Sequence, residues 1–386
     1  MQENARVAAA IEIIDQILTG APAEKALTNW ARRSRFAGSK DRAAIRDLVF
    51  DALRQKRSFA WRGNGETGRG IMIGAVRAGS GDPAEVFTGH GHAPAALDAV
   101  ELAEGDLDNA PEGVRLDLPD WILPEMRNSL GDDLEQVARL LTQRAPVFLR
   151  SNLAKCDREH AIEALRDDGI DGVPDQLAST AIKVIDGARK IRTSDAFQSG
   201  LVELQDAGSQ AVVENLPPAS RVLDYCAGGG GKSLALAATG AQVFAHDTAT
   251  GRMGDIPERA RRAGVRIECV RSDDLDSIDP FPLVLCDAPC SGTGAWRRSP
   301  DGKWRLTQTD LDKICEAQLQ ILNDASQLVH ADGSLAYVTC SLLNCENINQ
   351  VETFCEMQPG WYVQSSRTFT PLHGGDGFFL AVLRRL

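Results

Sequence analysis

No stretch of this 386-residue chain is long and apolar enough to span a bilayer, so a membrane-embedded protein is not expected. The N-terminus lacks a basic region followed by an apolar core, so no signal peptide is read and a cytoplasmic location is expected. Cys-x-x-Cys pairs are missing and the six histidines are scattered, which leaves no spacing for a structural zinc; no metal is expected. The nine cysteines, an odd number, fit free thiols in a reducing compartment better than a disulfide framework. A basic excess is lacking too: the formal net charge of −12, taken over the whole chain, argues against a nucleic-acid partner. No internal repeat is visible, and the length asks for two or three domains rather than one core.

The distribution of charge says more than its sum. Between residues 32 and 69 there are eleven Arg or Lys against four Asp or Glu, whereas 98–112 is acidic. A second basic cluster, Arg297, Arg298, Lys303 and Arg305, is interleaved with Trp296 and Trp304. Each cluster alone is compatible with a solvated helix face. Basic near a site and acidic elsewhere is the pattern of a local electrostatic funnel.

Residues 1–143 read as helical. Val7, Ile11, Ile14 and Leu18 fall at helical spacing, and Gly20 closes that helix. A second amphipathic segment, 39–56, opens on Ser39 as a cap, the Gly-rich stretch 62–81 is expected to contain a loop, and a further helical run covers 119–143. Residues 144–200 read as a small α+β module, with strands at 147–151 and 181–185 around a helix at 157–168. From 201 to 386 strands and helices alternate, which predicts an α/β, Rossmann-like, doubly wound parallel sheet. Its strands are read at 221–225, 242–246, 266–271, 281–286 and 334–338, with 378–383 as an edge strand.

The first of those strands runs into Cys226-Ala227-Gly228-Gly229-Gly230-Gly231-Lys232-Ser233. Glycines let a backbone approach a ligand, and the helix start that follows offers free N–H donors. A triphosphate loop fails because its first glycine would fall on Cys226, and the dinucleotide pattern fails because its third would fall on Ser233. Asp247 ends the second strand about where an acid meets ribose hydroxyls. Asp273 follows the third strand, in reach of an adenine edge. Either Asp alone is more often a cap or turn residue, but together they point to S-adenosylmethionine as cofactor.

Cys290 lies in Asp287-Ala288-Pro289-Cys290-Ser291-Gly292-Thr293-Gly294, and Cys340 in Thr339-Cys340-Ser341, each after an apolar run. The carboxyl ends of strands are where open α/β sheets place their chemistry. A thiolate adding to carbon 6 of cytosine makes carbon 5 nucleophilic, and Asp287 is placed to act as the acid at ring nitrogen 3. The remaining cysteines are read as small buried apolar residues.

These strings, together with Tyr337-Val338-Thr339-Cys340-Ser341-Leu342-Leu343-Asn344-Cys345-Glu346-Asn347, residues 200–210 and Gly375-Asp376-Gly377-Phe378-Phe379, resemble the RsmB/Sun (Fmu) family of RNA cytosine-5 methyltransferases. The resemblance implies that Cys340 is the nucleophile and that Cys290 assists product release. It implies cofactor contacts at Cys226, Ala227, Gly228, Gly229, Gly230, Gly231, Lys232, Asp247, Asp273 and Asp287. It implies an RNA partner, 16S ribosomal RNA above all, and the basic clusters, Arg297, Arg298, Lys303 and Arg305 with residues 32–69, are then the expected backbone contacts. It also implies a NusB-like helical domain over 1–143, an RNA-recognition-like module over 144–200 without an aromatic base-stacking pattern, and a monomer. Transfer RNA or DNA as substrate, and a catalytically silent RNA-binding or assembly factor, are the alternatives. The family loop usually reads Cys-Ala-Ala-Pro-Gly-Gly-Lys; Gly228 and Gly229 stand for Ala-Pro here, which predicts weaker cofactor binding that restoring Ala-Pro would tighten.

Overall fold

Helical spacing of apolar side chains builds the first part of the protein. The helix Glu3–Leu18 buries Val7, Ala10, Ile13, Ile14 and Ile17. It packs on Ser39–Arg54 and Gly68–Ala78 around a core that includes Trp30, Ile45, Val49 and Ile71. The computed structural model describes residues 1–386, which divide into two units: Met1–Arg144 with Trp296–Leu306, and Ala145–Ala295 with Thr307–Leu386. No helix is long and apolar enough to cross a membrane.

Of two expectations for the first unit, one is met and one is corrected. The Gly-rich stretch contains a loop at 63–67 and is otherwise largely the helix Gly68–Ala78. A Cβ on Gly74 would lie 1.8 Å from the Phe59 carbonyl oxygen, so glycine there permits close approach to the helix Lys56–Arg62. At the other helix start the N-cap is Gly38, without a side-chain bond, and Ser39 is already helical.

The segment Trp296–Leu306 belongs to this helical unit, which the boundary at 201 did not foresee. Arg54 Nε donates to the Arg297 carbonyl (2.7 Å), Lys303 Nζ to the Arg54 carbonyl (2.9 Å) and Trp304 Nε1 to the Leu53 carbonyl (2.6 Å). Arg297 is 4 % and Lys303 1 % exposed, so both are corrected from phosphate contacts to interior residues. Burial pushes the Lys303 ammonium down to about 8, against the pull of Asp117. Arg298 and Arg305 stay exposed, and Arg305 lies 3.5 Å from Asp301.

The second unit opens with a small antiparallel sheet. Strands β1 (Val147–Ser151), β2 (Asp171–Pro174), β3 (Ala181–Asp186) and β4 (Val202–Leu204) are ordered β2-β3-β1-β4, with the helix Arg158–Asp167 after β1 and helical turns after β3. This is β-α-β-β-α-β connectivity. Because β4 pairs with β1, the module runs past residue 200. One face of the sheet, carrying Phe148 and Ala181, packs against the helix Ala207–Glu214. That part of the face is therefore closed to bases.

The large sheet comprises β5 (Arg221–Asp224), β6 (Gln242–His246), β7 (Ile267–Val270), β8 (Phe281–Asp287), β9 (Val329–Thr339), β10 (Trp361–Phe369) and β11 (Phe378–Arg385). Their order is β10-β11-β9-β8-β5-β6-β7. The five strands from β9 to β7 are parallel, but β11 is antiparallel to both β9 and β10. The sheet is mixed, not all-parallel, and β11 is an interior strand; the edge is β10. That strand escaped notice because most of it is exposed, so its sequence shows no apolar run. The strand order reverses between β5 and β8, which marks a crevice at their carboxyl ends.

Candidate active site

Parallel strands deliver their C-terminal residues to one edge, and the sheet order fixes their sequence along it. From β9 to β7 the edge carries Cys340, then Asp287 and Cys290, then the glycine loop after β5, then Asp247 after β6 and Asp273 in the turn after β7. Register places Asp287 beside Val338, two residues before Cys340. The two thiols meet at 3.3 Å. Hydrogen bonding to Cys340, then burial, holds the Cys290 thiol well above its usual range, with the Glu346 carboxylate adding to the effect.

Lys232 was expected to serve the cofactor; its ammonium donates to Asp287 Oδ2 at 2.6 Å. Burial alone would lower its pKa, but the charge and hydrogen bond of Asp287 outweigh it, with contributions from Cys340 and Asp224, and the net shift is upward. A fixed cation thus lies near both Asp287 and the Cys340 sulfur. Cys226 is a different kind of thiol: burial and the carboxylates of Asp224, Asp287 and Asp247 push it up.

In the glycine loop Gly228 and Gly230 have positive φ, at 52° and 77°, and Gly231 opens the helix Gly231–Ala238. Alanine at position 228 would carry about 1–2 kcal/mol of left-handed strain, so restoring alanine there is not expected to tighten the loop. The Gly228 N–H donates to Asp247 Oδ2 (3.0 Å), and Arg252 pairs with the same oxygen at 3.2 Å. Arg252 is 62 % exposed, so ribose hydroxyls competing for Asp247 would displace only a solvated partner. Asp273 is exposed at the end of the same edge. The carbonyls of Gly229 and Gly231 accept from Arg259 and from buried Arg150, the latter at 2.9 Å. Donors, carboxylates and a glycine cradle of this kind fit a nucleoside cofactor.

Sequence reasoning missed the residue that joins the two cysteine loops. Glu346 is fully buried and accepts from Ser291 N (2.7 Å), Ser291 Oγ (2.5 Å), Gln318 Nε2 (3.1 Å) and the Ser341 hydroxyl. Ser291 follows Cys290, and Ser341 follows Cys340. Thr293 adds a bridge, accepting from Leu342 N at 2.7 Å. Asn347 accepts from Thr339 Oγ1 and donates to the Ser341 carbonyl (2.5 and 3.0 Å). The Glu346-Asn347 pair was legible only as part of a motif, because its partners lie up to 55 positions away.

Asp224, also unassigned from sequence, ends β5 in full burial. Burial raises its carboxyl from 3.8 to about 7, Asp287 adding to this and the Ser233 hydroxyl opposing it. Between about pH 4 and pH 7 the folded protein therefore holds a proton that the unfolded chain has lost. Stability falls across that window, by up to about 4 kcal/mol. Asp224→Asn should remove this slope. The variant is expected to melt several degrees above the wild type at pH 8 and level with it at pH 4 in calorimetry; equal differences at both pH values would sink the assignment.

Comparison with known proteins bears on the family and the fold. The family described as "16S rRNA methyltransferase RsmB/F" matches residues 211–384, and the "Methyltr_RsmF/B-like, ferredoxin-like domain" matches 118–191. "Ribosomal RNA small subunit methyltransferase B" of Yersinia pseudotuberculosis is 31 % identical over 299 residues, covering 73 % of this chain and 69 % of its own. The Citrobacter koseri protein of the same name is 30 % identical over 282 residues, and the match spans 69 % of this chain and 66 % of that protein, just under two thirds of its length. The crystal structure of PH0851 superposes on 100 % of the chain with a TM-score of 0.77; at 20 % identity this is a likeness of fold alone.

Proposed function

The chain belongs to the RsmB/F methyltransferase family, and from that premise we propose that it methylates carbon 5 of a cytosine in RNA, with small-subunit ribosomal RNA as substrate and S-adenosylmethionine as methyl donor. The observation that carries the reading is the pair of thiols 3.3 Å apart beside a lysine–carboxylate pair, at the carboxyl edge of the sheet.

In this reading the Cys340 thiolate forms a bond to carbon 6 of a cytosine turned out of its stack. The displaced electron pair moves toward carbon 5 and ring nitrogen 3. Ring nitrogen 3 takes up a proton passed through Asp287 from the Lys232 ammonium, so no anion is left on the ring, and the Asp287 carboxylate then accepts a hydrogen bond from the new N–H. When bound, S-adenosylmethionine supplies an electrophilic methyl group. Gly228 to Gly231, Asp247 and Asp273 hold the cofactor, with Asp247 on the ribose. Once carbon 5 has lost its proton to a base, the bond between sulfur and carbon 6 breaks, and Cys290, kept as a thiol by its surroundings, assists that release. Glu346 fixes both loops and is a positioning residue.

Bisulfite sequencing of ribosomal and transfer RNA from a deletion strain tests the substrate. One protected cytosine in small-subunit ribosomal RNA should become convertible. Loss of a transfer RNA signal instead would redirect the substrate. An unchanged pattern, with no labelled methyl incorporated into RNA by the purified protein, would leave only a silent binding factor.

A further inference from the structure

The turn between the helices Ala23–Arg33 and Ser39–Arg54 is built like a small platform. Its backbone is fixed from inside. Ser34 N donates to the Trp30 carbonyl and Ala37 N to the Ser34 carbonyl, and Arg42 Nε donates to the Ala37 carbonyl at 2.9 Å. Ser34 and Ala37 are buried, at 8 % and 3 % exposure. Between them Phe36 stands out at 76 % exposure, with no ring or cation contact of its own. A phenyl group held outward on a rigid turn is costly to leave in water.

Its neighbours are cationic on a strongly acidic protein. Residues 32–42 hold Arg32, Arg33, Arg35, Lys40 and Arg42 against Asp41 alone. Asp41 is taken by the N-terminal amine and Arg6 (3.1 and 2.8 Å), and Arg33 pairs with Glu12 (3.1 Å). Arg32, Arg35 and Lys40 are exposed and have no partner. An exposed ring flanked by unpaired cations matches an unpaired base with its flanking phosphates. A lipid surface would ask for an apolar stripe along a helix, which one Phe does not supply.

We propose that Phe36, with Arg32, Arg35 and Lys40, forms a docking surface for single-stranded RNA, Phe36 stacking on a base and the cations meeting phosphates. The proposal deepens the reading of this protein as an RNA enzyme and rests on it. Because the platform is preformed, a base loses freedom there without the protein losing any. The sequence had pointed only to a broad basic region, 32–69; in the structure much of that charge is paired, as in Arg46 with Glu24 and Arg69 with Glu101, and only this turn combines exposure with an aromatic.

Fluorescence anisotropy of the full-length protein with a labelled single strand of mixed RNA sequence, over a salt series, tests it. Phe36→Ala should raise Kd about tenfold with the slope of log K against log salt unchanged, and Phe36→Trp should restore binding. Replacing Arg32, Arg35 and Lys40 together by Gln should flatten that slope by about 2, at about 0.7 for each phosphate lost on a single strand. A Kd within about twofold of wild type for Phe36→Ala, or an unchanged slope for the triple variant, overturns the proposal. So does binding to phosphatidylserine vesicles that depends on Phe36 while RNA binding does not. Labelled methyl incorporation by the wild type keeps the two readings apart: methylation without a Phe36 effect rejects the surface only, and no methylation rejects the enzymatic reading.

Discussion

Cys340→Ala is expected to lower methyl transfer by more than about 10⁴-fold and to abolish covalent adducts with RNA carrying 5-fluorocytosine. Cys290→Ala is expected to behave in the opposite sense: the adduct forms on ordinary RNA and accumulates, seen as a protein band shifted on denaturing gels and released by ribonuclease. The asymmetry follows from the proposed roles rather than from position, since the sulfurs are only 3.3 Å apart. What separates them is environment. The Cys290 thiol is pushed well up by its hydrogen bond to Cys340, by burial and by the charges of Cys340 and Glu346, whereas Cys340 has the Lys232 ammonium near its sulfur. If Cys290→Ala abolished adducts and Cys340→Ala trapped them, the assignment would be reversed, as in an enzyme that attacks with its Pro-Cys thiol.

Glu346→Ala should be the most damaging change at a residue that touches no substrate. It removes the common acceptor of both cysteine loops. The Ser291 and Ser341 hydroxyls, 3.4 Å apart, can turn to each other, but Ser291 N and Gln318 Nε2 lose this acceptor. At about 1–3 kcal/mol for each buried donor left unsatisfied, a loss of about 2–5 kcal/mol is expected in urea titration. The catalytic consequence is separate from this. A displacement near 1 Å at reacting atoms costs about 100-fold, so single-turnover adduct formation and adduct release should both slow by about that factor in folded protein. Glu346→Gln keeps one acceptor oxygen and offers an amide to hydroxyls that can accept, so it should recover most of both rates. A core variant matched in stability, such as Leu322→Ala, should leave them unchanged. Were Glu346→Ala to melt early yet run both steps at wild-type rates, Glu346 would be structural only.

Much of the site was legible because its chemistry is local. A cysteine at the end of an apolar run, an acid three residues before another cysteine, and a glycine-rich turn opening a helix are each set by neighbours in the chain. The strands β5, β6 and β8 were placed within a residue or two for the same reason: they are largely buried on both faces and read as apolar runs. Periodicity failed where burial was one-sided or the reason for a residue lay elsewhere. The edge strand β10 is too polar to register. Gly68 and Gly74, noticed only as part of a Gly-rich stretch, are contact points between helices. Arg297 and Lys303 looked like surface charge, yet both lie in the interior of the helical unit.

The sequence by itself determined the catalytic vocabulary of this protein: two thiols, an acid, a glycine loop and two spaced carboxylates, each at a strand end, which is enough to name a family. Tertiary structure decided their grammar. Only the strand order β9-β8-β5-β6-β7 lines the thiols, the glycine loop and Asp247 along one edge in that sequence. Only folding turns Lys232 toward Asp287, ties Glu346 to serines on two loops, buries half of the second basic cluster and leaves Phe36 in solvent. The reason is range. Propensity and patterning act over a few residues, whereas these arrangements join groups up to 249 positions apart and exist only once each unit has folded.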